Sequence, residues 1–181
     1  FFTEGTLFID RKTELELLEQ CYRSDQAELF VLYGRRRVGK TELLHAFCAD
    51  KPHIFFIATL SSDSEQLATF SQQVYGFTHS DVPAGFTFPS WEAALRALSE
   101  FPTQPKPIIV LDEFTYLISG NKAIPSILQK VWDETLKNIP IMMVLCGSYI
   151  GMMEKEVLGY QAPLYGRRTA SFLLQPMDLP S

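Results

Sequence analysis

The segment Gly34–Thr41 carries the pattern G-x-x-x-x-G-K-T, which in proteins forms a phosphate-binding loop, or P-loop. Its glycines let the backbone approach a chain of phosphates, and successive amide N–H groups then donate to the phosphate oxygens. In this pattern the ammonium of Lys40 reaches the β- and γ-phosphates and the hydroxyl of Thr41 binds Mg²⁺. The pattern therefore predicts a site for Mg²⁺ and a nucleoside triphosphate. The predicted contact residues are Gly34, Arg35, Arg36, Arg37, Val38, Gly39, Lys40, Thr41 and Glu42.

Two adjacent carboxylates, Asp112 and Glu113, follow the apolar run Pro107–Leu111. A continuous apolar run of this length is typical of a strand buried on both faces of a parallel sheet. At the end of such a strand Asp112 is expected to bind Mg²⁺, directly or through water, as the Walker B acid does. Glu113 is then placed to orient or deprotonate an attacking water. Two solvated acids at a strand end are the alternative.

Other polar residues near the predicted strand ends are candidates for contact with the γ-phosphate. Ser148 follows an apolar strand, where its hydroxyl could hold the attacking water or the γ-phosphate, or simply cap the next helix. Arg167 and Arg168 could neutralise charge on the γ-phosphate, in their own site or in a neighbour's, or form a solvated pair. For the arginines of the P-loop, structural or partner contacts are as well supported as catalysis.

Apolar strands alternate with amphipathic helices along the chain, and this alternation predicts an α/β fold with a parallel sheet. The strands are predicted at 29–33, 53–58, 107–111, 141–146 and 170–174. The helices are predicted from Asp10 to about 23, after the P-loop, from about 64 to Gly76, at 90–101, at 124–132 and at 149–158. Residues 115–122 are predicted to be irregular, and 77–89 a loop without an assigned role. The P-loop, both acids and Ser148 would share the carboxyl edge of the sheet, where ligands bind in such folds.

The composition is that of one globular domain, with 181 residues of which 46% are hydrophobic. The net charge of −5 argues against strong general binding of polyanions by this segment. The cysteines Cys21, Cys48 and Cys146 lack metal-ligand spacing, and the apolar surroundings of Cys48 and Cys146 predict buried, reduced thiols. No apolar run is long enough to span a bilayer and no signal peptide is visible, so a cytoplasmic protein without a membrane partner is expected.

Five segments together resemble the archaeal-type ATPase family, which occurs in archaea and bacteria within the AAA+/STAND branch of P-loop NTPases. They are Phe8–Leu15, Tyr33–Thr41, Leu111–Phe114, Cys146–Ser148 and Tyr165–Arg168. The resemblance implies a P-loop NTPase three-layer sandwich with a five-stranded parallel sheet in the order 5-1-4-3-2, and ATP with Mg²⁺ as ligands. It also implies an ATPase core over 1–176, with 177–181 beginning a C-terminal lid and winged-helix region.

The resemblance also implies roles for individual residues. Ser148 resembles the sensor 1 residue, and Arg167 or Arg168 resembles the arginine finger. Phe8, Ile9 and Arg11 are expected to pack by the adenine. The glycine that usually follows the Phe-Ile pair is Asp10 in this chain, which weakens the adenine assignment and leaves the phosphate site unaffected.

The predicted function is Mg-dependent binding and slow hydrolysis of ATP, coupled to conformational switching or assembly. The residues predicted to carry out the chemistry are Lys40, Glu113, Ser148 and either Arg167 or Arg168. The arginine would come from the same chain or from a neighbouring copy in a homo-oligomer. One alternative is a switch that holds ATP or ADP with little turnover and acts on DNA or a protein partner through further domains. A phosphotransferase is disfavoured because Glu113 directly after Asp112 is more typical of water activation. Direct DNA contact by this segment is disfavoured by its acidic balance.

Overall fold

The computed structural model describes residues 11–176, in which a five-stranded parallel sheet lies between two layers of helices. The strands are β1 Glu28–Tyr33, β2 His53–Ile57, β3 Ile108–Asp112, β4 Met142–Gly147 and β5 Ala170–Leu173. Their order across the sheet is β2-β3-β4-β1-β5. Read from the other edge this is 5-1-4-3-2, so the predicted order and the three-layer architecture are confirmed.

Helices connect the parallel strands. They are α1 Lys12–Arg23, α2 Lys40–Cys48, α3 Asp63–Thr78, α4 Trp91–Ala97, α5 Phe114–Gly120, α6 Ile124–Glu134 and α7 Ile150–Met153. A π-helical turn, Glu154–Leu158, continues α7, and short 3₁₀ turns follow α4 and α6. Among the helices of residues 11–176, none is both long and apolar enough to cross a membrane.

The three central strands, β1, β3 and β4, are buried on both faces, and neighbouring residues of one strand pack against different helix layers. In β1, Phe30 and Leu32 pack with α1 and α2, whereas Leu29 and Val31 pack with the layer formed by α3 to α6. Burying one such side chain contributes about 1.5–3 kcal/mol to folding. This two-sided burial explains why the strands read as continuous apolar runs rather than as alternating patterns.

The register of the strands brings the site residues to one edge. The last residue of β1, Tyr33, pairs with Gly147 of β4, and Ile57 of β2 pairs with Asp112 of β3. The P-loop, the two acids and Ser148 therefore leave the sheet at the same carboxyl edge, as the sequence predicted.

The region after β3 differs from its prediction. Residues 115–122 were expected to be irregular, but α5 occupies most of this segment. Phe114, Leu117 and Ile118 are buried, and this spacing gives α5 an apolar face. The helical spacing of these apolar residues was not recognised in the sequence because the helix is short and polar residues surround it.

Smaller differences concern helix ends and the chain termini. Helix α3 continues past Gly76, its predicted end, to Thr78. The predicted helix cap Asp10, the predicted adenine contacts Phe8 and Ile9, and the proposed start of a lid at 177–181 lie outside the described residues. The buried thiols are as predicted: Cys48 and Cys146 are free and buried, and burial raises the pKa of Cys48 to about 12.

The first glycine of the P-loop lies against the chain segment that follows β5. Its N–H donates to the carbonyl of Gly147 at 3.2 Å, and a Cβ on Gly34 would lie 2.5 Å from the carbonyl oxygen of Leu174. Backbone atoms cannot move aside as a flexible side chain can. Close packing at this point therefore requires glycine.

We expect Gly34→Ala to lower the free energy of unfolding by about 1–3 kcal/mol, the usual cost of overpacking. The control is Gly151→Ala, because a Cβ on Gly151, within α7, meets no atom of the described part of the chain within 4 Å. Alanine favours helix, so this control should be neutral or slightly stabilising. Chemical denaturation of both variants provides the measurement, and equal stabilities would contradict the proposed close approach.

Candidate functional site

The P-loop wraps around the ammonium of its own lysine. Gly39 precedes α2 with a φ of +95°, a left-handed conformation that glycine adopts without strain. The side chain of Lys40 is buried, and its Nζ donates to the carbonyl oxygens of Gly34 at 2.8 Å and Arg35 at 2.6 Å. Burial lowers the pKa of Lys40, although nearby carboxylates oppose this shift. The loop thus holds a cation whose hydrogen-bond partners are neutral carbonyls.

A hydrogen bond joins the P-loop to the acidic end of β3. The Thr41 hydroxyl Oγ1 donates to Asp112 Oδ2 at 3.0 Å, and Asp112 Oδ1 accepts from the Glu113 N–H at 2.8 Å. Mg²⁺ prefers hard oxygen ligands and is usually held by one or two protein groups, with water and phosphate completing its shell. A hydroxyl and a carboxylate side by side fit this requirement, so Thr41 and Asp112 are suited to hold Mg²⁺.

Among the described residues, the carboxylate of Glu113 is held at one of its two oxygens. Ser148 Oγ donates to Glu113 Oε1 at 2.9 Å. The other oxygen, Oε2, is buried and has no hydrogen-bond partner among the described residues. Buried polar atoms are rarely left without a partner, so this oxygen is available to a water. Helix α7 begins only after Tyr149, so the Ser148 side chain binds the acid rather than capping the helix.

The backbone at Glu113 adopts an unusual conformation. Its φ is +54°, in the left-handed region that non-glycine residues seldom occupy. Such a conformation costs on the order of 1–3 kcal/mol and persists where the surrounding structure imposes it. Here it marks the abrupt change from β3 to α5 and places the Glu113 side chain beside Ser148.

A cavity of about 320 Å³ at the sheet edge contains most of these groups. It is lined by Arg36, Arg37, Gly39, Lys40, Thr41, Glu42, Glu113, Tyr116 and Ser148. Tyr116 was missed by the sequence analysis because it belongs to α5, the helix that was not predicted. The signal that could have found it is its position three residues after Glu113, on the first turn of that helix.

Arg167 and Arg168 do not line this cavity. Arg167 forms a two-pronged ion pair with Asp133, with Nη2–Oδ2 at 2.8 Å and Nε–Oδ1 at 3.2 Å, and this pair lowers the pKa of Asp133. Arg168 Nη1 donates to the carbonyl of Leu158 at 3.4 Å. Neither lines the cavity of its own chain, so a role for either in a neighbouring site stays a prediction.

Arg11 contacts the P-loop. Its side chain is buried, its Nη2 donates to the carbonyl of Val38 at 2.6 Å, and Glu14 lies 3.8 Å from its Nη1. Arg11 thereby supports the backbone just before Gly39. Its assignment to the adenine stays a prediction.

Comparison with known proteins finds relatives of this sequence. Residues 8–180 match the sequence profile of an ATPase domain found predominantly in Archaea. An uncharacterised protein of Methanocaldococcus jannaschii is 32% identical over 171 residues, which cover 94% of this chain and 36% of that protein. An uncharacterised ATP-binding protein of the same organism is 51% identical over 45 residues, covering 25% of this chain and 76% of that protein.

Solved structures share the fold. A Walker-type ATPase of Pyrococcus abyssi superposes with a TM-score of 0.64 and 25% identity, over 93% of this chain and 54% of that one. Cdc6p of Pyrobaculum aerophilum superposes with a TM-score of 0.58 and 17% identity, over 92% of this chain and 45% of that one. The chain thus spans about half the length of these structures and about a third of the longer M. jannaschii protein.

Proposed function

The chain belongs to the family of ATPase domains found predominantly in Archaea, and we propose that it binds Mg·ATP and hydrolyses it slowly, coupling nucleotide state to conformational switching or assembly. The observation that carries this proposal is the 3.0 Å hydrogen bond between Thr41 Oγ1 and Asp112 Oδ2. It joins the phosphate-binding loop to the acidic strand end at the point where a metal and a triphosphate would meet.

In this proposal each side chain has a distinct task. Lys40 binds the β- and γ-phosphates, exchanging the carbonyls that hold it now for charged oxygens. Thr41 and Asp112 hold Mg²⁺, which when bound neutralises phosphate charge. Glu113 orients the attacking water and accepts its proton through Oε2, which has no partner within residues 11–176, while Ser148 fixes the carboxylate by its hydrogen bond to Oε1.

A second candidate is a nucleotide-gated binding module with little turnover. It is favoured by the two hydrogen bonds that Lys40 donates within its own loop, because ATP would exchange them for contacts to phosphate and so couple nucleotide binding to a change in the loop. Either protein would work in the cytoplasm and would act on DNA or a protein partner through further domains. An assembly in which Arg167 or Arg168 of one copy completes the site of the next is compatible with both.

The test compares ATP binding and phosphate release, with Mg²⁺ and with chelator, for the wild type, Thr41→Val and Thr41→Ser. We expect Thr41→Val to lose the gain in ATP affinity that Mg²⁺ provides, by at least about tenfold, because valine has the shape of threonine without its oxygen. Thr41→Ser keeps the hydroxyl and should resemble the wild type.

The outcomes separate the candidates. Mg-dependent binding with turnover in the wild type supports the ATPase. Tight binding without turnover supports the gated module. An unchanged Mg²⁺ effect in Thr41→Val would refute the metal assignment, and absence of binding by the wild type would refute both functions.

A further inference from the structure

Arg36 occupies one of the four variable positions of the P-loop pattern, and it lines the cavity at the sheet edge. Its Nη2 donates to the hydroxyl of Tyr116 and, at 3.0 Å, to the hydroxyl of Tyr149. Its guanidinium carbon lies 5.4 Å from the centre of the Tyr149 ring. The two tyrosine hydroxyls are 3.5 Å apart. Two phenol oxygens thus hold the end of this arginine at the mouth of the cavity.

These partners are uncharged, which distinguishes Arg36 from the arginines elsewhere in the described structure that pair with carboxylates. Arg167, by contrast, is bound to Asp133, and Arg96 to Glu92 and Glu134. Within residues 11–176, none of the ion pairs includes Arg36. Arg36 therefore lines the cavity without an anionic partner among residues 11–176.

The two tyrosines place Arg36 on the side of the cavity where hydrolysis would occur. Tyr116 lies one helical turn after Glu113 in α5, and Tyr149 directly follows Ser148. Glu113 and Ser148 would hold the attacking water. They are therefore close in sequence to Tyr116 and Tyr149, the two residues that hold Arg36. Arg37 also lines the cavity but has no hydrogen bond to either tyrosine.

We propose that Arg36 is a catalytic arginine supplied by the same chain, which binds the γ-phosphate most strongly in the transition state of hydrolysis. This inference rests on the proposed ATPase function. In the reaction the water oxygen bonds to the γ-phosphorus, and the bond from that phosphorus to the β–γ bridging oxygen breaks. The electron pair leaves with ADP, and Glu113 takes the water proton. The guanidinium stabilises the charge that develops on the phosphate oxygens.

The exchange of partners is favourable on energetic grounds. An exposed cation–π contact is weak, and hydrogen bonds to neutral hydroxyls are weaker than hydrogen bonds between two charged groups. A phosphate offers the guanidinium two charged oxygens in matching geometry. Tyr116 and Tyr149 thus hold the arginine near the cavity at little cost and release it when a triphosphate is present.

The first test measures the affinities for Mg·ADP and for Mg·ADP with aluminium fluoride, a mimic of the transferred phosphoryl group, by equilibrium binding. We expect Arg36→Ala to lose at least about 100-fold in affinity for the mimic and to change little for Mg·ADP. Arg36→Lys should recover only part of the loss, because lysine lacks the planar fork. Arg37→Ala should weaken both ligands alike, and Arg23→Ala, on the exposed end of α1, should change neither.

A second test decides whether the arginine acts within its own chain. Arg36→Ala is mixed with Lys40→Ala, and phosphate release is measured over a range of protein concentrations. An arginine of the same chain predicts no recovery, because neither variant has both residues in one site. Recovery of turnover on mixing would show that the arginine acts across an interface and would overturn the proposal.

Other results also have defined meanings. Equal losses for Mg·ADP and for the mimic would make Arg36 a ground-state contact and overturn the inference. Wild-type turnover that depends on Glu113 but survives in Arg36→Ala would overturn it while leaving the ATPase function intact. Failure of the wild type to bind nucleotide would instead refute the proposed function itself.

Discussion

Glu113→Gln is expected to bind Mg·ATP as the wild type does and to lose turnover by about 100- to 10,000-fold, the usual contribution of general acid–base catalysis. Glutamine keeps the size and the backbone of glutamate but cannot accept a proton from water. Its amide oxygen can still accept the hydrogen bond from Ser148, which in the wild type spans 2.9 Å. The change therefore removes the base and keeps the site in place.

The measurement combines equilibrium ATP binding with single-turnover phosphate release. Ser148→Ala is the informative companion, because it retains the carboxylate but removes the hydrogen bond from Ser148 that orients it. We expect a smaller loss of turnover there, about tenfold, which corresponds to one hydrogen bond of about 1.4 kcal/mol. Glu65→Gln, on the exposed surface of α3, controls for loss of a charge.

Two results would contradict this role of Glu113. Turnover in Glu113→Gln within a few-fold of the wild type would mean that another group activates water. Loss of both ATP binding and turnover would mean that the carboxylate stabilises the site rather than transferring a proton. The free energy of unfolding separates the second result from simple misfolding, since glutamine is no more strained than glutamate at a φ of +54°.

The parts of the site that sequence could predict are those set by neighbours in the chain. The P-loop motif lies between an apolar strand and a helix, so Lys40 and Thr41 could be placed without further information. Asp112 and Glu113 were found because a strand buried on both faces has a continuous apolar sequence, and in this chain that apolar run ends in two acids. The strand order came from the family resemblance, since apolar runs alone do not specify which strands are adjacent.

The parts that sequence could not predict depend on contacts between distant segments. The Arg36 side chain is positioned by residues 80 and 113 positions away in the chain, and no local pattern marks those tyrosines. The pairing of Arg167 with Asp133 spans 34 residues, and it holds that arginine outside the cavity of its own chain. Helix α5 was missed because burial of its short apolar face outweighs the irregular appearance of the segment.

Lys40→Ala is expected to weaken ATP binding by about 10- to 100-fold. The change removes a charge-assisted hydrogen bond to phosphate, which contributes about 1.5–3 kcal/mol. It should affect folding less than ligand binding, because it deletes two hydrogen bonds to loop carbonyls but also removes a buried charge. Lys122→Ala, an exposed lysine that follows α5, is the matched control and should bind ATP as the wild type does. Equilibrium binding of ATP at constant ionic strength provides the measurement.

The pH dependence of ATP binding gives the sharper test, because burial lowers the pKa of Lys40. Only the ammonium form attracts phosphate, and bound triphosphate in turn favours that form. ATP affinity of the wild type should therefore be highest below this lowered pKa and should fall as the pH rises through it, with proton uptake on binding in that range. Lys40→Ala lacks the titrating group and should not show this fall. Parallel pH profiles for the two proteins would mean that the P-loop lysine does not provide the charge that binds ATP.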